Sequence, residues 1–75
     1  MKLSKTQTDT LTRIVETFDS SDPEDRVDDG VHLGTVLGVR LDTLSSLYRM
    51  GLVEVTKVSA GTPFVRPTNQ GRSVL

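Results

Sequence analysis

The sequence predicts a small α+β domain in which three helices are followed by a two-stranded antiparallel ribbon, in the order α-α-α-β-β. Apolar residues recur at helical spacing through the first fifty residues, and Gly51 then closes the helical part. Beyond it the period drops to two in "LVEVTKV" (52–58) and "FVRPT" (64–68), a strand signature. A chain of 75 residues is expected to form a single domain over 1–75, burying only about 60% of the surface its unfolded form exposes. Phe18, Tyr48 and Phe64 are its aromatics, so the core must come mostly from Leu and Val.

The first helix is expected over about residues 5–19. Leu11, Ile14, Val15 and Phe18 stand at i, i+3, i+4 and i+7, one stripe of an amphipathic helix, with Ser4 or Thr6 as its cap. Residues 19–29, "DSSDPEDRVDD", set six acids against Arg26, a net of −5, while the rest of the chain has eight bases and four acids, a net of +4. With Pro23 and no apolar period, that stretch reads as a solvated acidic loop. The overall charge of −1 therefore averages a basic body and an acidic segment.

Leu33, Val36 and Leu37 precede Gly38 at helical spacing, which places a second helix over about 32–38 after a brief extended segment at Gly30–Val31. His32 reads as a helix-start or partly packed residue. In "RLDTLSSLYRMG", Leu41, Leu44, Leu47 and Tyr48 form a stripe, Asp42 or Thr43 can cap, and Gly51 stops the element. A third helix thus spans about 41–50. Its other face carries Asp42, Thr43, Ser45, Ser46 and Arg49, an unusual set where Glu and Lys would be the better helix formers. Residues 52–68 then form a hairpin with a loop of about five residues, "SAGTP", and Pro67 at an edge or strand end. Thr68 caps a final turn over 69–75.

Several function classes fall away. A core this small cannot also enclose a drug-sized cavity. The chain has no cysteine and one histidine, so neither a disulfide framework nor a His-rich metal site is expected. No His-carboxylate-Ser spacing or phosphate-binding glycine loop occurs, and the expectation is a protein that is not an enzyme, with no cofactor and no small-molecule ligand. The polar start does not resemble a signal peptide, and apolar runs are far too short for a membrane span. A cytoplasmic location without membrane association follows.

Helix, loop, helix, short turn, helix and hairpin, in that order, resemble a winged helix-turn-helix DNA-binding domain. The residues that carry the likeness are Leu33…Leu37-Gly38-Val39, then Leu44…Leu47…Gly51-Leu52-Val53, then Val65…Thr68…Gly71-Arg72. Regulators of the MarR, ArsR and PadR kinds often carry such a pattern, and the likeness extends over about residues 5–75. Those families place roughly one more helical turn before the "GLV", so either the third helix is short at its N-terminal end or the boundary between the second and third helices lies elsewhere. "AGTP" at Ala60–Pro63 is also similar to the wing of Z-nucleic-acid-binding winged helices. That family's helix Asn and Tyr positions hold Leu41 and Ser45, however, and the chain has no tryptophan.

The resemblance implies double-stranded DNA as partner, bound by a small transcriptional regulator. The third helix would enter the major groove and the wing would reach an adjacent groove or backbone. Arg40 and Arg49 would contact phosphate or guanine, while Thr43, Ser45 and Ser46 would let the helix approach and bond phosphates. Lys57 and Arg66 would flank the wing, Ser59 and Thr62 would sit at its tip, and Lys2, Lys5 and Arg13 would touch backbone from the first helix. Roughly four to six phosphate contacts would make binding fall steeply with salt, with a slope of about −0.9 per contact. A homodimer is expected for operator recognition, because one short helix reads few bases. The alternative is a winged-helix protein-interaction module using the acidic loop or the wing.

Overall fold

The computed structural model describes residues 2–33, 36 and 39–75. Among these, the chain runs through α1 (Lys5–Ser20), a single 3-10 turn (Pro23–Asp25), β1 (Val31–His32), α2 (Leu41–Arg49), β2 (Val53–Ser59), β3 (Thr62–Pro67) and α3 (Asn69–Ser73). Among the described residues the fold is α+β, with three helices and one antiparallel sheet ordered β1-β3-β2.

Helix α1 starts at a capping box. The Ser4 hydroxyl accepts the Gln7 N–H at 3.1 Å, and the Gln7 side chain accepts the Ser4 N–H at 3.0 Å, so two otherwise orphaned donors satisfy each other's partners. Leu11 and Ile14 are fully buried, and Val15 and Phe18 pack against the core they begin. Val31, Leu33, Val36, Leu44, Leu47, Leu52, Val53 and Val65 complete that core.

The order α-α-α-β-β does not hold. Val31, in the expected extended segment, and His32, at the expected start of the second helix, pair as a strand with Val65 and Phe64, and a third helix follows the hairpin. Val31 is buried, and His32 sets its ring edge-on to Phe64 at 5.0 Å between centroids. Two residues are too few to announce a strand by alternation. Gly34, Thr35, Leu37 and Gly38, on which the expected helix over 32–38 mainly rests, lie outside the described residues.

Two tight turns replace what reads as loop. Val27 and Gly30 exchange both backbone hydrogen bonds at 2.9 Å, with Asp28 and Asp29 at φ 51° and 63°. Positive φ at both central residues is the requirement of a type I′ turn. The ribbon closes in the same way: Ser59 pairs directly with Thr62, leaving only Ala60 and Gly61 at φ 51° and 78°. The connection is therefore two residues rather than about five. A bulge at Thr56 shifts the register, so that Lys57 comes opposite Phe64 and shares a face with Glu54 and Arg66. The extra Thr56 hydroxyl bonds the Val27 carbonyl at 3.2 Å, and a Cβ on Gly30 would collide with it.

Thr68, Gly71 and Arg72, three of the residues in the winged-helix resemblance, are joints. Thr68 accepts the Gly71 N–H at 2.9 Å and caps α3, while its hydroxyl donates to the Gly51 carbonyl at 2.7 Å and its own N–H to that of Leu52 at 3.0 Å. Gly71 lies so close to Leu52 that any Cβ would meet the Leu52 carbonyl. Arg72 then reaches Asp19 with both terminal nitrogens, at 2.6 and 3.0 Å, tying α3 to the end of α1.

Candidate nucleic-acid interface

Helix α2 sits against the core through Leu44 and Leu47 and leaves its remaining surface open. Leu41 and Tyr48, expected on the buried stripe, are instead 63% and 54% exposed. The reason is angular. At 100° per residue both stand well round the helix from the Leu44–Leu47 direction, and a nine-residue helix needs only those two anchors. Its exposed face therefore consists of Leu41, Asp42, Ser45, Tyr48 and Arg49.

The candidate contact residues divide on this frame. Arg40 is the N-cap residue without a side-chain cap bond, and pairs with Asp42 at 3.4 Å in open solvent. Asp42 also accepts the Thr43 N–H at 2.9 Å, in the first turn. Thr43 is half-buried, Ser45 is exposed, and the half-buried Ser46 turns its hydroxyl back to the Asp42 carbonyl at 3.2 Å. Arg49 lies at the other end, its Nε donating to the Ser45 carbonyl at 3.4 Å. On the ribbon, Lys57 and Ser59 are exposed and Thr62 is half-buried beside the tip.

Arg66 is occupied. Its Nε donates to Glu54 at 2.7 Å and one terminal nitrogen to Asp29 at 2.8 Å. The bonds it donates, to Glu54 first and then to Asp29, hold its guanidinium above the ordinary arginine value. Charge on Arg66 is thus answered within the chain, and it ties the first tight turn to the sheet.

The acidic segment is built rather than merely solvated. Asp19 and Ser20 finish α1, and Arg26 closes its C-terminus with one terminal nitrogen 2.6 Å from the Phe18 carbonyl and Nε 2.8 Å from the Ser21 hydroxyl. Its guanidinium also lies 4.1 Å over the Phe18 ring, a cation–π contact added to a charge placed at the negative end of a helix. The hydrogen bonds from Arg72 hold the Asp19 carboxyl below its ordinary range, against the opposing effect of desolvation, and the charges of Arg72 and Arg26 act in the same direction as those bonds.

Tyr48 and Arg49 form one wall of an open groove of about 800 Å³, whose other parts include Glu54, Arg66, Asn69 and Arg72. No cluster of His, Cys, Asp and Glu among the described residues could hold a metal ion, and no helix there is long and apolar enough to cross a membrane. Leu41, Tyr48 and Arg26 escape a reading from sequence alone. The brevity of the third helix is the one signal that could have placed the first two outside the core, and a lone base among acids the signal for the third. No protein-family model, curated protein or solved structure matches the chain.

Proposed function

We propose that the protein binds double-stranded DNA as a small sequence-specific regulator of transcription, with α2 in the major groove and the β2–β3 hairpin as a wing on the neighbouring backbone. The observation that carries this reading is the outward face of α2, with Leu41, Ser45, Tyr48 and Arg49 on view beside a ribbon ending in exposed Lys57 and Ser59. A short strand that pairs β3 from the side opposite β2 also supports a winged helix-turn-helix arrangement.

The electrostatics sharpen the expectation. Arg66 is answered by two carboxylates and Arg40 stands beside Asp42, so Arg49 and Lys57, which meet no carboxylate among the described residues, are the principal phosphate contacts proposed for this face. A salt slope of about −2 is then expected in place of a steeper one. Anisotropy of a labelled duplex titrated at two salt concentrations tests the reading, and absence of salt-dependent binding at micromolar protein would sink it. Arg49→Ala and Lys57→Ala should each flatten the slope by about 0.9, whereas Arg66→Gln should leave it unchanged. A second reading, a protein-interaction module, draws on the exposed Leu41, Tyr48 and Val58, and predicts no duplex binding at all.

A further inference from the structure

We infer that α2 selects DNA through apolar contact with thymine methyl groups, made by Leu41 and Tyr48, rather than through hydrogen-bonded readout of guanine. The inference rests on the proposed DNA-binding reading and concerns what the helix recognises. Of the side chains able to hydrogen-bond a base edge, Arg40 stands beside Asp42 and the Ser46 hydroxyl is turned back to the Asp42 carbonyl. Arg49 stands at the last turn, at the end of this face, where the proposed reading gives it to phosphate. What the face offers instead is a leucine at its first residue and a tyrosine two turns later, 63% and 54% exposed.

Leu41 and Tyr48 are the large apolar groups that this helix leaves open, and covering them would be favourable. Seven residues bring Leu41 and Tyr48 back to the same face about 10.5 Å apart, which is about three base steps at roughly 3.4 Å each. In the major groove the one apolar group on a base edge is the C5-methyl of thymine. Ser45, small and exposed between the two, lets the helix come close enough for both contacts.

The test starts from duplexes selected by the intact chain out of a randomised pool. Selected sites should carry thymines about three base pairs apart, and replacing either by uracil, which removes only the methyl, should weaken wild-type binding about fourfold. Leu41→Ala, at an exposed position, should fold with an unaltered melting curve and lose its response to uracil at one thymine while keeping it at the other. Sites defined by guanine with no response to uracil would overturn the inference, as would a Leu41→Ala protein that keeps both responses. So would a Leu41→Ala protein that turns from dimer to monomer in sedimentation with its uracil responses intact, since the leucine would then belong to a protein interface. Failure to bind any duplex removes the DNA reading itself, an outcome distinct from salt-dependent binding that ignores the methyl.

Discussion

Two groups of cations in this small domain are treated in opposite ways. Arg26, Arg66 and Arg72 are each fixed by two or more contacts, with the Phe18 carbonyl and Ser21, with Glu54 and Asp29, and with Asp19. Arg49 and Lys57 meet no carboxylate among the described residues. The two regions adjoin at the groove walled by Tyr48 and Arg49 on one part and by Arg66 and Arg72 on another. The acids of residues 19–29 are therefore partly anchors for guanidiniums, and net charge says little about which cations are free for a partner. Removing the segment as a block would take Ser21, Arg26 and Val27 with it, so point substitutions are the way to test the division.

The largest expected effect lies in the fixed region. A Cβ on Gly71 would meet the Leu52 carbonyl, and backbone cannot yield as the end of a side chain can. Gly71→Ala should cost about 3 kcal/mol, a large share of what a domain this size has, and urea unfolding would read it directly. A variant as stable as wild type would mean that α3 does not seat on Leu52 in solution.

Arg26→Ala comes next. It removes a cation–π contact worth about 1 kcal/mol and the bonds that close α1, worth about 1 kcal/mol more. A fall of about 2 kcal/mol in unfolding free energy is expected, and under the proposed function the duplex affinity of the folded protein should be unaltered. Weaker DNA binding at full stability would move Arg26 from the first group of cations to the second.

How much of this is legible in the sequence differs between the regions for physical reasons. The i, i+3, i+4, i+7 spacing of Leu11, Ile14, Val15 and Phe18 is local, and so is the change of period after Gly51; both are visible without a structure. Thr68, Gly71 and Arg72 stand out as a pattern, but their work depends on Gly51, Leu52 and Asp19, up to 53 residues away. The partners of Arg66 are 12 and 37 residues distant, which hides its occupation completely. Leu41 and Tyr48 mislead because apolar spacing says which residues share a side, and not how many of them a short helix needs to bury. In the hairpin, "SAGTP" reads as a loop because Ala60 at positive φ is not what alternation or turn chemistry would nominate.

A smaller effect separates the groups by pH. Because Arg72 holds the Asp19 carboxyl below its ordinary range, folding is favoured at pH above the unfolded carboxylate value. That stabilisation shrinks as the pH falls below it and is lost once the pH passes the lower folded value. Melting temperatures followed from neutral into acid should therefore drop less steeply for Asp19→Asn than for wild type. The same acid dependence in both proteins would place the Asp19–Arg72 pair among exposed pairs of no consequence.

The smallest expected effect is at the free end of the open region, and it goes upward. Ala60 occupies the left-handed conformation at φ 51°, which costs a residue with a Cβ about 1 kcal/mol, and asparagine tolerates it better in a two-residue hairpin turn before glycine. Ala60→Asn should raise stability by about 0.5 kcal/mol, seen as a higher urea midpoint with the slope unchanged. Gly61→Ala is the mirror experiment. Its Cβ would meet nothing within 4 Å, so any loss there comes from φ 78° alone. Because neither change touches Lys57 or Ser59, the proposed DNA binding should keep its salt slope. A stabilised tip that binds duplex less well would mean that the hairpin, in its proposed role, must flex to reach the backbone, and that the open region depends on strain as well as on free charge.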